Sequence, residues 1–287
     1  WPLILFLGLG GVLVLVCPQW LVGLVPSLET WLPRLEASAP MAIAFGVAAG
    51  LLHIVGLIDD RRELKPWPKL AIQIALALTL SWGFDIRLLQ TLDDMFIAGA
   101  ALSILLTTAW IVVVTNAMNF LDNMDGLTGG VTVVAGSILM VTALIGEQWF
   151  VAATLAVLTG STLGFLFFNL PPARIFLGDG GSLVIGLALA VLTVRITYVE
   201  EDVGTSSAWY GVLMPLAVLA IPLYDLIGVT LLRLRQGRHP FQGDKQHFSH
   251  RLVKRGLSPR RAVLIIWMLA GVTGVIGMLL PGMEPWQ

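Results

Sequence analysis

Charge is scarce in this sequence. Only 12% of its 287 residues are Asp, Glu, Lys or Arg, against 57% hydrophobic, and the mean hydropathy is +0.87. A soluble domain carries roughly 25% charged residues, so an ordinary cytosolic enzyme, a disordered chain and a nucleic-acid binder are all excluded. Cysteine is nearly absent: Cys17 stands alone, and no disulfide can form within the chain. Tyrosine occurs three times, and no succession of alternating ten-residue segments appears, which argues against an outer-membrane barrel. A basic leader with a small-residue cleavage site is also missing, because the chain enters an apolar run directly after Trp1.

What is present is apolar length. Runs at about 3–25, 40–58, 69–84, 96–115, 127–146, 150–168, 181–199, 209–232 and 261–281 predict nine transmembrane helices. The run at 69–84 is short, and Lys69 must snorkel if it is to span. The expected fold class is therefore an all-α integral membrane protein, a single polytopic domain over 1–287. Alternate connections differ sharply in charge. Of the 17 Lys and Arg residues, all but Arg34, Arg87 and Arg195 fall in or beside the segments 59–69, 116–126, 169–180 and 233–261. The positive-inside bias makes that set cytoplasmic, which puts Trp1 inside and the C-terminus outside.

Four constellations fall on this one side. Asp59-Asp60 closes a helix, where two adjacent carboxylates are unfavourable without compensating cations or a metal; Arg61, Arg62, Lys65 and Lys69 follow. In NAMNFLDNMDG, the residues Asn116, Asn119, Asp122 and Asp125 recur every third position, so neighbours in the series share a helical face. Such hard oxygen ligands suit Mg2+, and Gly126, Gly129 and Gly130 open the next helix, where backbone N–H groups meet an anion. In NLPPARIFLGDGGSL, Asp179 stands at a helix N-terminus among Gly178, Gly180 and Gly181, with Phe176 nearby as either an interface anchor or a stacking surface for a base. The long basic loop after 232 carries His239, His247 and His250 beside Arg233, Arg235, Arg238, Lys245 and Arg251, a surface suited to phosphate or pyrophosphate. An N-cap explains Asp179 but not the Pro171-Pro172 lead-in or the flanking Gly178, Gly180 and Gly181, and a capped turn accounts for part of the Asn/Asp block. His53 reads as a packed helix residue. Asp225, inside a span, reads as functional, as a partner of Arg233, or as a cap after Pro222. Together these features suggest Mg2+-dependent phosphate chemistry at the lipid boundary. A transporter would instead concentrate polar groups at the bilayer midplane.

The four ordered blocks, Asp59-Asp60 with Lys69, NAMNFLDNMDG, IFLGDGGS and DKQHFSHR, resemble those of the polyprenyl-phosphate N-acetylhexosamine-1-phosphate transferases over about 40–260. That resemblance implies transfer of GlcNAc-1-phosphate from a UDP-sugar donor to an undecaprenyl or other polyprenyl-phosphate acceptor, with release of UMP, beginning a cell-envelope glycan at a bacterial inner membrane. It implies Mg2+, with Mn2+ as a substitute, held by Asp179 and Asn119. Asp59 or Asp60 would deprotonate or orient the acceptor phosphate, and Lys69 would hold it. Asp122 and Asp125 would line the nucleotide end, Asn116 would bind substrate, and Phe176 would stack on uracil. Arg233, His247 and His250 would hold the sugar-phosphate side. Membrane lipid is an expected partner, a homodimer is compatible with the reading, and nucleic acid is not expected.

This chain departs from the family's pattern by reading His247-Phe248-Ser249-His250 where many bacterial members read His-x-His-His. The family also has an earlier helix and a first cytoplasmic loop, expected before Trp1. Three alternatives stay open: the phospho-MurNAc-pentapeptide branch of the same family, an intramembrane prenyltransferase, and a nucleotide-sugar or lipid transporter.

Overall fold

The structure is a computed structural model that describes residues 2–25, 29–90, 92, 97–197, 208–239 and 246–280. Among these, the regular elements are helices: α1 (Pro2–Val16), α2 (Pro18–Leu24), α3 (Leu32–Arg61), α4 (Pro66–Gly83), α5 (Gly99–Leu121), α6 (Leu127–Ile145), α7 (Trp149–Asn169), α8 (Gly178–Thr197), α9 (Ala208–Val218), α10 (Ala220–Arg235), α11 (Phe248–Lys254) and α12 (Pro259–Leu279). The acidic Asp93, Asp94, Glu200, Glu201, Asp202, Asp244 and Glu284 lie outside the described residues, as does Lys245.

Six of these helices are long and apolar enough to cross a membrane: α3, α5, α6, α7, α8 and α12. The bent pair α9–α10 makes a seventh if it is counted as one span. The expected nine is thus not met by length and composition, for physical reasons that differ by run. Pro18 divides the first run into a 15-residue helix and a short one, because an interior proline costs a hydrogen bond and clashes with the preceding turn. Helix α4 starts with Pro66, Trp67, Pro68 and Lys69, which dilute its hydropathy. The run at 209–232 breaks at Leu219 with a bend of 78°. The 40–58 run is underestimated: α3 has 30 residues and is about 45 Å long at 1.5 Å per residue, which carries its end beyond a 30 Å hydrocarbon core.

Helix α8 is the centre of the bundle. Leu187, Ala188, Leu189, Ala190 and Leu192 are buried, and α3, α5, α6, α7 and α9 pack around it. Close approach depends on missing side chains. A Cβ on Gly186 would stand 2.6 Å from Thr115 Cα in α5, and one on Gly56 would stand 2.4 Å from Gly180 N. Small residues permit backbone contact where lipid supplies no hydrophobic drive between helices. Antiparallel α1 uses the same device against α3, Gly8 lying against Gly46. Large apolar side chains such as Leu51, Ile54, Leu105, Phe167 and Val272 face outward, as expected where the surroundings are acyl chains rather than water.

Candidate active site

The ends of α3, α5, α7 and α10 and the starts of α4, α6, α8, α11 and α12 meet at one end of the bundle. Hydrogen bonds between them make this a single site. Lys69, in the first turn of α4, lies between two carboxylates: its Nζ is 2.5 Å from Asp59 Oδ2 and 3.0 Å from Asp179 Oδ2. Asp59 also accepts from Leu64 N through Oδ1 at 2.6 Å, which folds the 62–65 turn back onto the end of α3. Asp179 accepts from Asn119 Nδ2 at 2.8 Å through its other oxygen. Asn119 shares its amide with Ser182 Oγ at 2.9 Å, and Ser182 donates to Gly178 O.

Asp60 has a different task from its neighbour. Its Oδ1 accepts from Asp179 N at 2.8 Å and its Oδ2 from Gly180 N at 3.2 Å. It therefore caps α8 from another helix, meeting two of the orphan N–H groups at that N-terminus and the positive end of the helix dipole. Gly178 has φ +64 and a Cβ there would fall 2.6 Å from Asp60 Oδ2, so glycine is required twice over. The Asp179 N-cap reading thus resolves unexpectedly: Asp60 satisfies the helix backbone, and the Asp179 side chain is left for Lys69 and Asn119.

Asp122 follows the last residue of α5. Burial pushes its carboxyl up to about 6, and the negative charges of Asp179 and Asp60 add to the shift. Asp125 accepts from Ala173 N at 3.0 Å through Oδ2. In the same junction, buried Asn169 accepts from Gly126 N at 2.9 Å and donates to Ile175 O, while Arg260 donates to Pro171 O. Asp125 and Asn169 thus join the NFLDNMDG and PPARIF segments. Asn116 sits a turn deeper, donating to Gln73 Oε1 at 2.5 Å and to Val112 O, which ties α5 to α4. Phe176 is 76% exposed.

The basic loop closes another side. Arg233 is 2% exposed, and its guanidinium lies 5.3 Å from the centre of the Phe120 ring. His247 meets Phe120 edge-on at 6.2 Å and His250 at the same distance. Ser249 Oγ donates to Asn123 Oδ1 at 2.5 Å, pinning α11 to the α5–α6 turn. His247 Nδ1 is 2.7 Å from Asp225 Oδ2, so Asp225 pairs with this histidine. His53 packs within the bundle with Nδ1 2.8 Å from Gly180 O, and beside Gly180 a cavity of about 230 Å³ is walled by His53, Ser161, Thr162, Phe165 and Leu177.

Asp59, Asp179 and Asp122 are hard oxygen donors, and Mg2+ takes one or two carboxylates and completes its shell with water and substrate phosphate. Among the described residues, no three His, Cys, Asp or Glu side chains form a ready cage. Asn119 turns its amide N–H toward Asp179, so its oxygen becomes a ligand only after an amide flip.

Sequence reasoning singled out Asp225 without identifying its partner, and assigned no site role to Asn169, Asn123 or Ser249. An acid inside a span and an amide just before Pro-Pro are visible signals, but their partners lie 22 and 43 positions away.

Residues 42–197 match the family model described as glycosyl transferase family 4. The probable undecaprenyl-phosphate N-acetylglucosaminyl 1-phosphate transferase of Bacillus subtilis (strain 168) is 32% identical over 246 residues, covering 85% of this chain and 67% of that protein. The decaprenyl-phosphate N-acetylglucosaminephosphotransferase of Mycolicibacterium smegmatis is 36% identical over 244 residues, 79% of this chain and 60% of the relative. The undecaprenyl-phosphate alpha-N-acetylglucosaminyl 1-phosphate transferase of Escherichia coli (strain K12) is 27% identical over 251 residues, 84% and 66%. The matches thus span between three fifths and two thirds of these relatives. With the described residues of its four motif blocks drawn into one hydrogen-bonded site, the chain belongs to glycosyl transferase family 4, among the polyprenyl-phosphate hexosamine-1-phosphate transferases.

Proposed function

We propose that this chain transfers N-acetylglucosamine 1-phosphate from UDP-N-acetylglucosamine to a polyprenyl phosphate and releases UMP. The observation that carries the reading is Lys69 held between Asp59 and Asp179. One cation poised between two acids can exchange a carboxylate for an acceptor phosphate, and the freed carboxylate can then meet a metal ion or a proton. The names of the relatives supply the sugar and the lipid class.

In this mechanism Lys69 binds the polyprenyl phosphate and Asp59 orients it or takes its proton. A phosphate oxygen of the lipid attacks the β-phosphorus of the donor. The new P–O bond forms as the bond from that phosphorus to the bridging oxygen breaks, and UMP carries the bridging oxygen away. A bound Mg2+, held by Asp179 with Asp59, Asp122 or Asn119 in reach, would neutralise charge developing on the leaving pyrophosphate oxygens. Asp60 keeps α8 and Asp179 in register. Asp122 and Asp125 border the nucleotide side, Phe176 offers a face to uracil, and Arg233, His247 and His250 offer cationic and hydrogen-bonding groups to the sugar phosphate.

The same reading places the site at the cytoplasmic surface of a bacterial inner membrane, supported by the gathering of Lys and Arg at this end of the bundle. It also takes α1–α2, α4 and α9–α10 as crossings, giving nine. Alternation supports this: α3 and α5 both end at the site, so the 18 residues of α4, about 27 Å of helix, must traverse the bundle between them. The test is UMP release by purified protein with UDP-GlcNAc, undecaprenyl phosphate and Mg2+, each omitted in turn, and with UDP-MurNAc-pentapeptide as an alternative donor. UMP formation that requires all three supports the proposal. Turnover only with the pentapeptide donor places the chain in the other branch, and movement of substrate without UMP makes it a transporter.

A further inference from the structure

We propose that Asp225 is the positioning residue for His247, fixing which ring nitrogen this histidine turns toward the substrate phosphates. This inference rests on the transferase reading above. Asp225 lies in α10, three residues after Pro222, and is 1% exposed. A carboxylate so placed is costly unless both oxygens are used. They are: Oδ2 is 2.7 Å from His247 Nδ1, and Oδ1 accepts from Phe248 N at 2.6 Å. One side chain thus caps the first turn of α11 and holds the residue that precedes it.

An ionised carboxylate only accepts, so the proton between the pair resides on Nδ1 of the ring. That fixes the orientation and leaves Nε2 as the nitrogen for a substrate oxygen or a proton, the logic by which a buried acid orients a working histidine. The ring is held from the other side as well. His247 is 6% exposed and sits edge-on to Phe120, whose face carries the buried Arg233 guanidinium. Arg233 follows Asp225 by two turns on α10, so one helix presents the acid that holds the imidazole and the cation beside it.

A purely structural cap would require only the bond to Phe248 N. The two roles separate by measurement on the whole purified chain in detergent. With only four histidines in the sequence, the 15N-imidazole signals are assignable by single replacements. The proposal expects wild-type His247 to carry its proton on Nδ1, and Asp225→Asn to lose that signature. It also expects Asp225→Asn to lower kcat for UMP release by about tenfold or more while KM for UDP-GlcNAc changes by less than about threefold. In a His247→Ala background the same change should cost less than about twofold, because its route of action is gone. Equal losses in both backgrounds, or a wild-type His247 protonated on Nε2 alone, would overturn it. Should Asp225→Asn not fold, the wild-type spectrum and Asp225→Glu decide: stability and kcat regained without the Nδ1–H signal would also overturn it. Absence of UMP release from the wild type with all substrates counts against the transferase reading instead, and leaves the tautomer result standing.

Discussion

Asp59 and Asp60 are adjacent in the chain and divided in their work. Asp59 faces Lys69, while Asp60 spends both oxygens on backbone N–H groups of α8. Asp59→Asn should therefore abolish most turnover at nearly unchanged thermal stability. Asp60→Ala should destabilise the protein by about 1–2 kcal/mol, the usual loss for a helix cap, and lower activity by letting Asp179 shift. Parallel melting curves and UMP rates check the pair, and equal stability losses for both variants would undo the division. Asp122 gives a test by pH. Its carboxyl rises from an ordinary 3.8 to about 6, so the folded protein holds this proton more tightly than the unfolded chain. Between those values the folded state binds more protons, and stability falls as pH rises from about 4 to about 6. Without added metal, Asp122→Asn should melt several degrees above wild type at pH 7.5, with the gap closing toward pH 4. The motif spacing made these residues visible as candidates, but it carried no information on which of two adjacent acids would face a lysine 10 positions away and which a helix 119 positions away.

At the scale of elements, the site depends on how closely α3 and α8 approach. Gly56 touches the start of α8, where a Cβ would come within 2.4 Å of Gly180 N and 2.5 Å of Asp179 O. Because those are backbone atoms, the helices themselves must part. Gly56→Ala should cost about 1–3 kcal/mol, the range for overpacking, and should reduce UMP release more than Gly160→Ala, where a Cβ would meet nothing within 4 Å. Similar melting and activity in both variants would show that the contact is slack. The long apolar helices α3, α5, α6, α7, α8 and α12 were legible because hydropathy reports them directly. The division at Pro18 and the 78° bend at Leu219 were less so. A proline inside an apolar run is compatible with a kink, a break or a continuous span, and neighbouring helices decide among them. Even so, α12 begins as local chemistry predicts, with Ser258 Oγ accepting from Arg261 N and Pro259 at the first helical position.

Over the whole molecule, the chemistry and most of the basic residues occupy one end of the bundle, and the far end is built differently. There Asp85 pairs with Arg87, Trp31 packs edge-on against Trp149, and Gln148 donates to Ile196 O. If the bundle sits in the membrane with its site inside, a cysteine at Arg62 should be labelled by an impermeant maleimide only in inverted vesicles, and one at Glu147 only in right-side-out cells, each in a Cys17→Ser background. The opposite pattern would invert the orientation. The uneven spacing of Lys and Arg along the sequence already predicted that the four blocks share one end of the bundle, although the net charge of −1 concealed it.

The central claim is that a phosphorylated sugar, and not the sugar alone, moves to the lipid. It is tested most directly by supplying UDP-GlcNAc labelled with 32P at the β-phosphorus together with undecaprenyl phosphate and Mg2+. The account predicts that the label enters the lipid fraction in equal molar amount with UMP, and that Asp179→Asn abolishes both. Label retained in UDP while GlcNAc passes to the lipid would contradict it.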